Sequence, residues 1–185
     1  MVKLHFIIKG LTPLLMHNPA SMGRGDTKVG RKTIPSIEES AASSRYLLPD
    51  GNFYVPAVAV RASILNGAKF MKIGKFSARS LLAGGITLSD ESFPLLRDGN
   101  PIFGDNYSID TRRAVIQKSG ILASRAKIEL PWGVECCFNF DEQTASILDL
   151  TAIINRAGQV AGLLDFRPER MGWFGKYAVG DIWMD

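Results

Sequence analysis

The chain has few of the residues from which most catalytic and metal sites are built. Its 185 residues include two histidines, His5 and His17, and two adjacent cysteines, Cys136 and Cys137. These side chains do not make a convincing four-ligand zinc site, and adjacent cysteines cannot join distant segments by a disulfide. No Ser-His-Asp set, nucleophile elbow or phosphate-binding loop is visible. The sequence therefore predicts a protein that is not an enzyme and uses no metal or cofactor.

Long apolar runs are also missing. No stretch of about 18 apolar residues occurs, so we expect neither a transmembrane helix nor a membrane partner. The apolar run at residues 2–10 is interrupted by His5 and Lys9 and is followed by no small-residue cleavage site, which argues against a signal peptide. Together with the scarcity of cysteine, this predicts a cytoplasmic protein.

Acidic residues are the minority among the charged groups, and the formal net charge is +4. Residues 106–128 carry five basic side chains against the single acid Asp110, and residues 17–45 carry five against three acids. Clustered positive charge is the electrostatic signature of nucleic-acid binding. A soluble protein that is basic without a nucleic-acid ligand is the alternative.

The order of strand-like and helix-like segments predicts one α+β domain over residues 1–185. Hydrophobic periodicity predicts helices near 56–70 and 142–158, the second capped by Asp141, and turn residues place a hairpin at 49–52. We expect residues 84–89 to form a short strand and residues 90–106 to be mostly loop.

The resulting order, β-α-β-β-α-β, is ferredoxin-like or RRM-like, with inserted hairpins. We expect both helices on one face of one antiparallel sheet built from residues 2–10, 107–117, 122–140 and 176–183.

The first helix is predicted to have two distinct faces. Val58 and Leu65 belong to the apolar one, and Arg61 and Lys69 to the basic one.

Residues 17–45 form a long polar stretch with almost no large apolar side chains. Such a stretch buries too little apolar surface to offset the entropy lost on ordering, which is about 1–2 kcal/mol per residue. We therefore predict a basic insertion that is flexible without ligand and becomes ordered on binding or assembly. Within it, Asp26 is the one acid with a conceivable catalytic role, the alternative being a solvated loop acid.

A glycine turn with aromatic and basic residues precedes the last predicted strand. Glycines allow a positive φ or a close approach to phosphate, and an exposed Trp can stack on a base. The alternative is a turn whose aromatic rings fill the core. The residues concerned are Arg167, Arg170, Gly172, Trp173, Phe174, Gly175 and Lys176.

Three segments together resemble the RAMP superfamily, the repeat-associated proteins of CRISPR systems, and especially the backbone subunits that polymerise along guide RNA. They are residues 8–14, residues 53–64 and residues 162–176. Tyr54-Val55-Pro56 followed by Arg61 matches the family's aromatic-apolar-Pro entry into a basic helix, and Gly172 to Gly175 matches its glycine-rich loop. The chain is short for a backbone subunit, so a stand-alone, phage-encoded relative is also consistent with it.

The resemblance implies roles for several segments. Residues 17–45 would be the projecting thumb-like insertion, and Arg61 and the glycine loop would contact the strand. In some members an acid in that insertion cuts target RNA, a role that would fall to Asp26.

We therefore predict a protein that binds single-stranded RNA or DNA with little sequence preference and forms a homo-oligomer or filament along it, with other ribonucleoprotein subunits as candidate partners. A phage single-stranded-DNA-binding protein and an adaptor that binds no nucleic acid are the alternatives. The scarcity of histidine argues against a third, a metal-independent ribonuclease. The predicted nucleic-acid-binding residues, expected to line one groove, are Arg61, Arg112, Arg113, Arg125, Arg167, Arg170, Trp173 and Lys176.

Overall fold

The structure, a computed structural model, describes residues 1–19, 35–116 and 119–185. These residues form four α-helices and twelve strands, which confirms the predicted α+β class. None of the described helices is long and apolar enough to cross a membrane. The helices are α1 (Ile37–Ser43), α2 (Ala57–Gly67), α3 (Ala78–Gly85) and α4 (Ile147–Val160). The strands are β1 (Val2–Gly10), β2 (Leu14–Leu15), β3 (Tyr54–Pro56), β4 (Lys72–Ile73), β5 (Phe76–Ser77), β6 (Ile86–Leu88), β7 (Ser92–Arg97), β8 (Asn100–Pro101), β9 (Ser108–Ile116), β10 (Ser119–Ile128), β11 (Gly133–Phe140) and β12 (Tyr177–Met184).

The central sheet has the strand order β12-β1-β11-β7-β3, with β6 also paired to β11 and β8 to β7. All of these pairings are antiparallel. If β3 and β8 are set aside and β6 and β7 are counted as one position, the strands of the central sheet lie in the order fourth, first, third, second along the chain. Alternate residues of β1, namely Leu4, Phe6 and Ile8, are fully buried and form the centre of the core.

Helices α2 and α4 pack against each other over the sheet. Gly67 of α2 lies directly against Ala157 of α4, and the hydroxyl groups of Ser63 and Tyr177 are 2.9 Å apart. Tyr177 is fully buried, and this burial raises the pKa of its phenol. The two predicted helices are thus confirmed, with bounds shifted by a few residues.

Two details of these helices were wrong in the sequence analysis. Val58 is 59% exposed, and α2 instead buries Val60 and Ile64, because nearly every position of this helix is apolar or small and its periodicity defines no orientation. Helix α4 is capped by Ser146 in a capping box, not by Asp141, whose carboxylate accepts a turn hydrogen bond from the amide of Gln143.

The long hairpin does not belong to the central sheet, contrary to prediction. Strands β9 and β10 exist as expected, but they form a separate sheet with β2, in the order β2-β10-β9. The chain changes sheets at residues 129–132, where Pro131 has no amide hydrogen for a ladder. Trp132 is buried there and donates its indole hydrogen to the carbonyl of Thr12 at 2.8 Å.

Residues 90–106 are also more regular than predicted, since they contain β7 and β8. Phe93 and Leu95 are buried on either side of the exposed Pro94. The alternation of apolar and exposed positions outweighs the turn signal of the proline. The short strand expected at 84–89 is confirmed as β6.

The polar insertion is described only in part. Residues 20–34, with Asp26, lie outside the described residues, so the predicted flexibility of this stretch stays a prediction. Helix α1, which the sequence analysis did not predict, begins with a capping box formed by Ser36 and Glu39. It is anchored by Ser44, whose buried hydroxyl accepts a hydrogen bond from the Ala126 amide of β10 at 2.8 Å.

Gly158→Ala should destabilise the fold by about 3 kcal/mol, near the upper end of the range for overpacking. A methyl group at this position of α4 would collide with the carbonyl oxygen of Tyr177, so helix and strand would have to separate. The control is Gly84→Ala, because nothing lies within 4 Å of a methyl group there. That change should raise stability by about 0.5–1 kcal/mol. Urea unfolding measures both, and equal effects would contradict the packing described here.

Candidate nucleic-acid interface

The loop between α4 and β12, residues 161–176, has an unusual backbone. Leu164, Phe166 and Met171 have φ values of 58°, 47° and 60°. Residues with a side chain rarely adopt this left-handed region, and such strain persists only where the surroundings hold it. Strained residues cluster at functional sites, so this α4–β12 loop is a candidate site on backbone geometry alone.

The two glycines singled out in the sequence have a packing role in this loop. A methyl group at Gly172 would collide with the carbonyl oxygen of Phe166, and one at Gly175 with that of Leu163. Gly175 also has a φ of 66°. The glycines therefore let the loop fold closely on itself, and an approaching phosphate is not needed to explain them.

Arg112 of β9 joins the hairpin to the α4–β12 loop. Its guanidinium carbon lies 4.6, 4.8 and 5.4 Å from the ring centres of Trp173, Phe174 and Phe166. The same guanidinium donates two hydrogen bonds to the Asp110 carboxylate, at 2.5 and 2.9 Å. The structure thus brings Arg112 and Trp173, two predicted site residues, into direct contact.

The aromatic rings of this cluster differ in exposure. Trp173 and Phe174 stack with 5.4 Å between ring centres, and Phe166 meets both of them edge-on. Phe174 is 3% exposed and belongs to the interior, whereas Trp173 is 51% exposed. Trp173 is therefore a ring fixed on one side by protein contacts and open to solvent on another.

A second arginine of the hairpin reaches the same loop. Arg125 Nε of β10 lies 2.5 Å from Asp165 Oδ2, close enough for an ion pair, although the two atoms are misaligned for a hydrogen bond. The Asp165 amide in turn donates to the carbonyl of Leu15 in β2 at 3.0 Å. The ion pair is partly buried, so water screens it less than it would a surface pair.

The remaining predicted cations around the loop fall into two groups. Arg167 hydrogen-bonds to Glu169 and to the Leu164 carbonyl, so it has a carboxylate partner, as Arg112 and Arg125 do. Arg113 and Arg170 are exposed and Lys176 is half-buried. None of these last three takes part in an ion pair within the described residues.

Arg61 does not contact the α4–β12 loop through its hydrogen bonds, which go to backbone carbonyls at the end of α3. Its Nε and Nη2 donate to the carbonyls of Ile86 and Ala83 at 2.8 and 2.5 Å, which satisfies acceptors at the end of α3. Within the described chain these hydrogen bonds join Arg61 to α3 and β6 and not to the α4–β12 loop. The predicted groove of eight residues is therefore divided, with Arg61 on a different surface.

A small pocket beside the loop was missed in the sequence analysis. It has a volume of about 200 Å³ between α2 and the α4–β12 loop, and its lining includes Tyr46, Ala62 and Asp165. The Tyr46 hydroxyl donates to the His17 carbonyl at 2.8 Å, and burial is the main cause that raises the pKa of this phenol. Tyr46 therefore stays a neutral donor at physiological pH. Its partners are distant in sequence, so no motif marked the pocket.

On the open face of the central sheet, His5, Cys137 and Asp185 come together. His5 Nε2 lies 2.9 Å from Asp185 Oδ1 and 3.9 Å from Cys137 Sγ, and its ring stacks on Trp183. Both contacts use the same ring nitrogen, whereas nucleophile activation needs one nitrogen for the thiol and the other for the carboxylate. In the described residues, no group of three or more His, Cys, Asp or Glu could hold a metal ion.

Comparison with known proteins gives a match at the level of structure. No family model matches the chain, and no curated protein does. A chain of the Type III-B Cmr-β complex, solved by cryo-EM with cognate target RNA bound, superposes with a TM-score of 0.60 over 99% of this chain, at 13% identity. The fold of this chain is therefore similar to that of the matched Cmr-β chain. This chain spans 60% of the Cmr-β chain's length.

A Cas6 product complex also matches, at 13% identity over 95% of this chain and 50% of that one, but its TM-score of 0.30 is too low to support an argument. Of the resemblance drawn from three segments of the sequence, the likeness of fold to the Cmr-β chain is what the comparison shows. At 13% identity the likeness carries no residue roles.

Phe174→Ala should destabilise the protein by about 3–5 kcal/mol, because it removes a buried ring. Trp173→Ala should cost clearly less, since half of this side chain is already in water and its contact with Arg112 is worth about 0.5–1 kcal/mol. Thermal unfolding of the two variants gives the comparison. Equal losses would show that Trp173 is a core residue and would remove it from the candidate site.

Proposed function

We propose that the protein binds single-stranded nucleic acid with little sequence preference and without cleaving it. We further propose that it oligomerises along the strand, as a backbone subunit of a CRISPR-type ribonucleoprotein does. The domain that does this is ferredoxin-like, with the β9–β10 hairpin and residues 17–45 inserted into it.

The proposal rests on one observation, the half-exposed and fixed ring of Trp173. Arg112 and Phe166 hold its ring at one orientation while half of its surface stays exposed. A base that stacks on a ring fixed in advance does not have to order that side chain on binding. Stacking on aromatic rings contributes about 1–3 kcal/mol per base and tolerates any sequence.

The exposed cations around the loop supply the electrostatic part of the binding. Arg113, Arg170 and Lys176 are available for phosphates, whereas Arg112, Arg125 and Arg167 already have carboxylate partners. The second group is better explained as support for the loop. Contacts with the phosphate backbone carry no sequence information, in agreement with a sequence-tolerant binder.

The structural match supports RNA over DNA as the ligand and other protein subunits as further partners. The chain with the similar fold comes from a multisubunit complex bound to its cognate target RNA. The strand order of the central sheet, fourth-first-third-second, agrees with a ferredoxin-like domain. A marked preference for DNA would favour the phage single-stranded-DNA-binding alternative.

Trp173→Ala should lower the affinity for a single-stranded RNA oligonucleotide by about 1–3 kcal/mol and leave the salt dependence almost unchanged. Arg170→Ala and Lys176→Ala should each reduce the slope of log affinity against log salt by about 0.7, because one phosphate contact is lost. Fluorescence anisotropy at several salt concentrations measures both quantities.

Arg156→Ala is the matched control for these changes, since Arg156 is an exposed cation on α4, outside the loop. It should bind as the unmodified protein does. Unchanged binding in all three loop variants would disprove this site. If Arg156→Ala changes the salt slope as much as Arg170→Ala and Lys176→Ala do, the effect comes from the net charge of the protein and not from this site.

Assembly is tested separately by light scattering. The protein should form larger particles when a long single strand is added, because several copies bind side by side. A strict monomer with and without the strand would contradict the filament and favour an adaptor role.

A further inference from the structure

A second basic surface lies on the segment from residue 51 to residue 89, which contains no Asp or Glu. All of these residues are described, and none of the ion pairs found in the described chain includes one of them. Positive charge without neighbouring carboxylates attracts phosphate more strongly than the same charge in an ion pair. The five cations are Arg61, Lys69, Lys72, Lys75 and Arg79.

The centre of this segment is a small hairpin formed by β4 and β5. Lys72 pairs with Ser77 and Ile73 with Phe76, across a two-residue turn in which Gly74 has a φ of 59°. At its base the Ala78 amide donates to the Met71 carbonyl at 3.0 Å, and Ala78 is fully buried. The hairpin is therefore anchored to the core, and its orientation is set.

Two phenylalanines of this hairpin region are largely in water. Phe70 is 82% exposed and Phe76 is 68% exposed, and the Lys69 ammonium lies 5.4 Å from the centre of the Phe70 ring. Two large apolar rings that stay exposed within the one short segment 70–76 are a candidate interaction surface. Because lysine is depleted in protein–protein interfaces, a surface of Phe and Lys fits a nucleic acid better than a protein partner.

A groove lies along α2 and reaches Arg79 of α3, the helix that directly follows the hairpin in sequence. It has a volume of about 520 Å³, and Arg61 of α2 and Arg79 of α3 are among its lining residues. The acceptors of Arg61 are backbone carbonyls, so none of these hydrogen bonds pairs its charge with a carboxylate. Ala62 borders both this groove and the pocket beside the α4–β12 loop, so the two surfaces adjoin across α2.

We propose that the β4–β5 hairpin and this groove form a second contact surface for single-stranded nucleic acid. Bases stack on Phe70 and Phe76, and phosphates lie against Lys72, Lys75 and Arg79. The inference rests on the proposed function but assigns it a surface separate from Trp173. Arg61, which the structure separates from the α4–β12 loop, would then lie beside the bound nucleic acid.

Photocrosslinking tests this placement directly. The unmodified full-length protein is irradiated with a 4-thiouridine-substituted single-stranded RNA, and the crosslinked peptides are identified by mass spectrometry. We expect crosslinks within residues 69–79 in addition to those near Trp173. Phe70→Ala and Phe76→Ala should each weaken binding of the same RNA by roughly 5- to 150-fold, the range that corresponds to one stacked base.

Charge is tested by Lys72→Ala and Lys75→Ala, each of which should reduce the salt slope by about 0.7. Leu148→Ala is the control for the aromatic changes, because Leu148 is 82% exposed on α4. Since Phe70, Phe76 and Leu148 are all exposed, the three variants should melt near the temperature of the unmodified protein.

The outcomes separate this inference from the proposed function. If the protein binds RNA, but crosslinks avoid residues 69–79 and the hairpin variants bind normally, the second surface is disproved while the proposed function stands. If the unmodified protein binds no single-stranded nucleic acid, both are disproved. If the hairpin variants bind RNA normally but no longer oligomerise, the surface is an interface between protein subunits and the inference is wrong.

Discussion

Two arginines of the three-stranded sheet hold the α4–β12 loop in place, and the candidate interface depends on them. Arg112 lies among the aromatic rings of the loop and is itself held by Asp110, while Arg125 forms an ion pair with Asp165. The loop contains several left-handed residues, so its conformation needs contacts from outside. The exposed ring of Trp173 has a fixed orientation because the second sheet supplies these contacts.

The basic residues of the protein fall into two groups, those with carboxylate partners and those exposed to solvent. Arginines with carboxylate partners build the structure and add little to the attraction of phosphate. The exposed cations around the loop and on the β4–β5 hairpin take part in no ion pair within the residues that the structure describes. The groove along α2 and the pocket beside the α4–β12 loop both border Ala62 of α2. A single strand that follows both surfaces would find alternating stacking and phosphate contacts, which is the recognition mode of sequence-tolerant binders.

The sequence predicted the fold class and the main helices well, because hydrophobic periodicity and turn residues are local signals. It placed the β9–β10 hairpin in the wrong sheet, since strand partners far apart in sequence, such as Leu15 and Lys127, leave no local trace. It grouped Arg61 with Arg112 by charge, although backbone carbonyls of α3 and β6 hold Arg61 on another surface. It overlooked Phe70 and Phe76, because nothing in an apolar residue's neighbourhood in sequence shows that its ring will be exposed.

The central claim is that the protein recognises single strands through stacking and phosphate contacts together. It is tested most directly by a competition between a single-stranded RNA and a duplex of the same sequence for the unmodified protein, measured over a range of salt concentrations. The account predicts tighter binding of the single strand, because bases in a duplex are not free to stack on Trp173, and a steady loss of affinity as salt rises. Equal affinity for the duplex, or binding that does not respond to salt, would contradict it.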